Sequence, residues 1–175
     1  MNKDVAMNYI TFNTPLGWLL VAESRDGIAL VHFFGSGCPS EALAISTVRK
    51  YYPDSEPYRG VCSGLLEQTR NHILEYLNNR TPLPEIPLDL SRGTSFDRVV
   101  WKEIDAIAFG ESRSYSQIAK QAQKSRAYRA VGRACGRNPV PILIPCHRVV
   151  GQGGKLGGFS GGLHIKKALL ELETA

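Results

Sequence analysis

The chain has 175 residues, 43% of them hydrophobic and 21% charged, which excludes both a multidomain machine and a disordered polymer and leaves room for a packed core. Its net charge of +5 names no partner, but residues 1–91 hold 7 Lys+Arg and 10 Asp+Glu whereas residues 92–175 hold 14 and 6. No acidic residue falls between Glu111 and Glu171, while Arg113, Lys120, Lys124, Arg126, Arg129, Arg133, Arg137, Arg148, Lys155, Lys166 and Lys167 all do, so the second half is a candidate polyanion surface.

In chain order, alternating apolar residues at 9–12, then the segments 17–23 and 28–34 with a turn signal at Arg25-Asp26-Gly27 between them, predict an antiparallel sheet. Helices are predicted over 39–51 and over 65–77, where Leu65, Leu66, Ile73, Leu74 and Leu77 share a face. The prolines at 82, 84 and 87 forbid helix and predict a connector running into a short strand at 88–90. The polar, Gly-containing stretch 91–95 marks the expected boundary between a 1–91 unit and a 92–175 unit.

Beyond it, Thr94 or Ser95 can cap a helix carrying Phe96, Val99, Val100, Ile104 and Ile107 at helical spacing and ending at Gly110. A short helix over 114–122, a turn near Lys124-Ser125 and a second helix over 126–137 form either a helix-turn-helix or a plain helical hairpin with a solvated face. Arg126, Arg129, Arg133 and Arg137, spaced three, four and four apart, would stand on one side of that second helix, as in a grip on a phosphate backbone.

Four cysteines, Cys38, Cys62, Cys135 and Cys146, lie far apart with no C-x-x-C pair, so neither a metal site nor a disulfide framework is expected. The first residues, MNKDVA, lack the apolar core of a signal peptide, and the runs at 28–34 and 140–145 are too short to cross a membrane. The expectation is an intracellular protein, cytoplasmic or nuclear in a eukaryote, with no membrane partner and reduced thiols.

The proline-bracketed apolar run 139–145 delivers Cys146-His147 to a buried turn. A neutral-pH thiol is only slightly ionised, and an adjacent His with surrounding positive charge would supply the thiolate. The dipeptide alone fits a structural cysteine as well as a nucleophile.

Its surroundings are more specific. Ile144-Pro145-Cys146-His147-Arg148-Val149 resembles the active-site signature of the methylated-DNA–protein-cysteine methyltransferases, the alkylguanine-DNA alkyltransferases. Gly93-Thr94-Ser95-Phe96 with Val100-Trp101, Ser114-Tyr115 with Gln117-Ile118-Ala119, and Arg129-Ala130-Val131-Gly132 stand in that family's order and spacing. So do Asn138-Pro139, Gly157-Gly158-Phe159-Ser160-Gly161-Gly162, and Lys166 with Leu169-Leu170 and Glu173. The resemblance covers 93–173.

The resemblance implies an α/β N-terminal domain, ribonuclease H-like, with an antiparallel sheet and flanking helices. It implies a mainly α C-terminal domain with a winged-helix-like helix-turn-helix that docks in the minor groove of double-stranded DNA. The implied reaction flips O6-alkylguanine, and less efficiently O4-alkylthymine, out of the duplex and moves the alkyl group irreversibly to Cys146, once per molecule. By the same resemblance His147, through a water, takes the thiol proton and is oriented by Glu173. Asn138 ties the active-site turn to the recognition helix, and Tyr115 hydrogen-bonds or protonates N3 of the departing guanine. Arg129 fills the gap in the base stack. Ser160, with Val149 and the loop residues Gly157 and Phe159, reads and covers the base, while Arg126, Arg133 and Arg137 contact the DNA backbone. No cofactor is implied, and the expected state is a monomer. One departure is Tyr128, where a small residue is expected before Arg129. The alternative reading is a non-enzymatic helix-turn-helix DNA-binding or damage-sensing protein.

Overall fold

The computed structural model describes residues 5–60 and 64–174. Cys62, one of the cysteines named above, lies outside them. The chain divides into two compact units, Met1–Asp89 and Leu90–Ala175.

In the first unit, β1 (Val5–Thr14), β2 (Gly17–Ser24) and β3 (Gly27–Gly35) form the predicted antiparallel meander, with consecutive residues of β2 and β3 buried on both faces of the sheet. α1 (Glu41–Tyr51) is capped by the Ser40 hydroxyl, which accepts from the Leu43 N–H. It buries Ala44 and Val48 with Met7, Tyr9, Leu20, Ala22 and Leu30 of the sheet. The sheet is mixed rather than purely antiparallel, because a fourth strand, β4 (Ser55–Arg59), runs parallel to β1 in the order β3-β2-β1-β4. The Ser-Glu-Pro-Tyr-Arg sequence of β4 has little strand character. An edge position makes Pro57 tolerable, since its missing N–H leaves only one ladder bond unmade. α2 (Gly64–Asn79) packs on β1, β2 and β3, with Leu66, Ile73 and Leu77 buried.

The strand predicted at 88–90 is instead an isolated parallel bridge between Ile28 and Leu88. The Ile28 N–H donates to the Pro87 carbonyl at 2.8 Å and Asp89 N–H to the Ile28 carbonyl at 2.9 Å. The prolines before it have no N–H with which to extend a ladder. This connector lies so close to Gly27, at φ 144°, that a Cβ there would stand 2.6 Å from the Pro87 oxygen.

In the second unit, α3 (Ser95–Asp105) begins at a capping box in which Thr94 and Asp97 satisfy each other's backbone N–H groups. It ends before Ile107, short of the predicted stop at Gly110, and residues 106–110 turn away with Ile107 still buried. β5 (Arg113–Ser114), which hydrophobic periodicity did not reveal, pairs in parallel with β6 (Val149–Val150). α4 (Tyr115–Gln121) carries its own capping box between Ser114 and Gln117. α5 (Tyr128–Gly136) packs on both α4 and α3. α6 (Leu163–Thr174) buries Ile165, Lys166, Leu169 and Glu173, one stripe at helical spacing. Among the described residues no helix is long and apolar enough to cross a membrane.

Candidate active site

Cys146-His147-Arg148 forms a single 3-10 turn, and all three residues are buried. The run leading to it folds back on itself: the Ile144 N–H donates to the Val140 carbonyl, and Pro141 bridges to Ile144. Asn138, 5% exposed, fastens that loop from the inside. Its Oδ1 accepts from Val140 N–H at 3.0 Å, and its Nδ2 donates both to the Ile144 carbonyl at 2.9 Å and to Cys146 Sγ at 3.2 Å. An N–H aimed at sulfur favours the thiolate.

Burial works the other way and dominates, pushing the Cys146 thiol up to about 11, with the Asn138 hydrogen bond and the Lys166 charge opposing it. Cys146 is therefore a thiol at neutral pH, and surrounding positive charge does not ionise it outright. Cys135 on α5, also buried, is held up at about 12 by the same exclusion of water and by the thiolate that Cys146, ionising first, would carry at such pH.

His147 has no solvent exposure, and its Nε2 lies 3.0 Å from Glu173 Oε1. A carboxylate that accepts assigns the proton to Nε2, which leaves the Nδ1 lone pair as the basic position of the neutral ring. Burial holds the His147 pKa below its usual value, against the pull of Glu173. The ring is thus neutral at physiological pH, the form a base requires. Phe159 stands edge-on to it, centroids 6.5 Å apart.

Glu173, near the end of α6, is the hub of this region. Arg148 forks onto it, Nε to Oε2 at 2.9 Å and Nη2 to Oε1 at 2.8 Å, while Arg148 Nη1 donates to the Ile107 carbonyl at 2.6 Å. The Gly110 N–H also donates to Glu173 at 3.3 Å. The early end of α3 exposes that Ile107 carbonyl and the Gly110 amide to these partners. Lys166, one α6 face-repeat earlier and fully buried, donates from Nζ to the Val149 carbonyl at 2.6 Å and sits 5.8 Å from the Tyr115 ring.

Arg148 and Lys166 therefore do not belong to the polyanion surface suggested by the acid-free run. Both are interior cations, each satisfied by a carbonyl or carboxylate. Lys166 was legible in part, because it falls on the α6 stripe with Ile165 and Leu169. Arg148 carried no such signal, since a single 3-10 turn has no periodicity to read.

Tyr115, at the start of α4, has its hydroxyl against Gly157: an added Cβ there would lie 2.3 Å from that oxygen. Burial and the two cysteines push the phenol up to about 12. Ser160 is exposed in a turn closed by the Gly162 N–H to the Phe159 carbonyl at 3.0 Å. Val149 is buried directly after the catalytic-type turn.

The arginine face is narrower than the sequence predicts. α5 starts at Tyr128, so Arg126 lies in the preceding turn. Arg129 and Arg133 are exposed on the helix, and the Arg129 guanidinium lies 5.8 Å from the ring of Tyr128, itself 47% exposed. Arg137 is not a fourth free cation. It caps the end of α5 and is ion-paired with the buried Asp97 at 2.5 Å.

The family model described as the DNA binding domain of 6-O-methylguanine DNA methyltransferase matches residues 95–175. A methylated-DNA–protein-cysteine methyltransferase of Methanosarcina barkeri is 56% identical over 168 residues, covering 95% of this chain and 97% of its own. The chain belongs to this family. Within the methylated-DNA–protein-cysteine methyltransferases, the Mycobacterium tuberculosis protein is 38% identical over 169 residues, 97% of this chain and 93% of its own. A crystal structure of the M. tuberculosis protein in complex with DNA is similar with a TM-score of 0.76 at 34% identity, covering 97% of this chain and 93% of that one. The likeness thus spans both the α/β unit and the helical unit, whereas the motifs readable in the sequence begin only at Gly93.

Proposed function

We propose that this chain is a direct-reversal DNA repair protein that removes the alkyl group from O6-alkylguanine in duplex DNA, and less efficiently from O4-alkylthymine, and keeps it on Cys146. The observation that carries this reading is the buried Cys146 thiol held by Asn138, beside a neutral His147 braced on Glu173. That is a nucleophile, a base and an orienter within one unit.

In the proposed step the sulfur attacks the alkyl carbon, the S–C bond forms as the C–O6 bond breaks, and the electron pair leaves on the guanine oxygen. Because burial keeps the thiol protonated, its proton must depart as the bond forms, through a water to His147 Nδ1. Tyr115, a phenol that keeps its proton at neutral pH, donates to guanine and neutralises the leaving group. A thioether has no route back to a thiol, so each molecule acts once.

The base reaches the thiol only if it leaves the helical stack. In this reading α4 and α5 are the helix-turn-helix of a winged-helix-like domain lying in the minor groove, with Arg129 in the vacated position. Arg126 and Arg133 hold phosphates, and the 157–160 loop with the Val149 carbonyl covers the base. Residues 1–91 form the structural domain, ribonuclease H-like in arrangement, and residues 92–175 the DNA-binding and alkyl-acceptor domain. The protein acts as a monomer inside the cell, where a thiol nucleophile stays reduced.

The test is stoichiometry. With excess duplex carrying a labelled O6-methylguanine, transfer should stop at one methyl group per protein, and Cys146→Ser should transfer none. Continued turnover, or full transfer by Cys146→Ser, would overturn the proposal.

A further inference from the structure

Asp97 is an acid with almost no exposure that lies far from the thiol in sequence, yet its contacts lead there. Its Oδ2 accepts from the Thr94 N–H at 3.1 Å and the Thr94 hydroxyl at 2.8 Å, closing the α3 cap. The same carboxylate accepts from Arg137 through Nε at 3.1 Å and Nη2 at 2.5 Å. A two-pronged arginine bond of this kind fixes direction as well as distance. A second strut joins the same two helices: the Trp101 indole N–H donates to the Ala134 carbonyl at 2.9 Å. One strut leaves a pivot, and two fix the last turn of α5 on α3. The next residue in the chain is Asn138, whose amide holds Cys146 Sγ and the Ile144 carbonyl.

We infer that the Asp97–Arg137 ion pair positions Asn138, and through it the Cys146 sulfur, so that Arg137 serves the reaction from the helix end rather than as a phosphate contact. The inference rests on the reading of Cys146 as the nucleophile. Asp97 and Arg137 touch no reacting atom; they are positioning residues. The charged and titratable groups that face the sulfur are otherwise unchanged by altering this pair. They are Lys166 from α6, Cys135 from α5 and Tyr115 from α4; His147, Arg148 and Glu173 are bonded to one another beside the turn.

Arg137→Ala suits the test because the arginine side chain is half exposed and Asp97 keeps both Thr94 donors. Two readouts are made on the full chain, wild type and Arg137→Ala, with Arg137→Lys as the conservative variant. The first is the pH profile of Cys146 alkylation by iodoacetamide, followed by mass spectrometry. The second is affinity for undamaged duplex as a function of salt. Loss of the Asn138 N–H on sulfur should move the iodoacetamide profile of Arg137→Ala upward by roughly one pH unit, with Arg137→Lys in between. The salt slope of DNA binding should stay as in the wild type, because no phosphate contact is removed. An unmoved profile, or a salt slope flattened by about one, would overturn the inference and return Arg137 to the phosphate surface. Iodoacetamide reads the thiol without DNA, so failure of wild-type protein to accept a methyl group from DNA would sink the proposed function alone.

Discussion

At the scale of single residues, Glu173 bears on more of the site than any other side chain described. It orients His147, neutralises Arg148 and receives the Gly110 amide. Removing it would strand a guanidinium whose side chain is only 11% exposed. Breaking a buried pair from one side costs about 3–5 kcal/mol. Glu173→Ala should therefore lower the thermal midpoint by roughly 10 °C or more. Glu173→Gln keeps the shape and one acceptor oxygen but leaves Arg148 without its counter-charge and turns an NH2 toward its donors, so it should recover only part of that stability while still slowing alkyl transfer. Calorimetry on both variants checks this, and a Glu173→Ala midpoint near wild type would remove Glu173 from its central place.

At the scale of elements, the glycine-rich loop is set against α4 by one tight contact. Gly157→Ala would put a methyl group where the Tyr115 hydroxyl and ring edge already lie. Either the loop or the phenol must move, and displacements near 1 Å in a reacting site lower rates by up to about a hundredfold. Single-turnover kinetics should show a large loss for Gly157→Ala in the wild-type background and a smaller one in Tyr115→Phe, where the clashing oxygen is gone. Equal losses in both backgrounds would mean that the contact is not what sets the loop.

How far these elements could be read from sequence follows their physics. β1, α1 and α2 show alternation or helical spacing because each has one face in the core and one in water, whereas β2 and β3 are buried on both faces over 19–22 and 28–31 and read as continuous apolar runs. β4 did not announce itself, since an edge strand of Ser-Glu-Pro-Tyr-Arg is held by its neighbour and not by its own pattern. The arginines of 126–137 keep helical spacing on paper, yet the helix begins at Tyr128 and its last arginine is captured by Asp97. Periodicity gives the face of a side chain but not its partner. The Cys146-His147 turn could be found only by its resemblance, because one turn of 3-10 helix buries three adjacent residues with no repeat.

For the whole molecule, the charge division holds a different meaning from the one its arithmetic suggests. The second half is basic, but Arg148 and Lys166 spend their charge inside it, and Arg137 is paired. The exposed basic residues near α5 include Lys124, Arg126, Arg129 and Arg133, with Tyr128 beside them. Of the interior cations, Arg148 is bound to Glu173, and Lys166 acts on a Cys146 thiol that burial keeps neutral. In the proposed function this thiol is the final acceptor of the alkyl group. Incubating the protein with duplex DNA containing O6-methylguanine and examining the Cys146 peptide by mass spectrometry should show one added methyl group on Cys146 and unmodified guanine in the DNA. An unmodified Cys146, or a methylated peptide that persists in Cys146→Ala, would rule this role out.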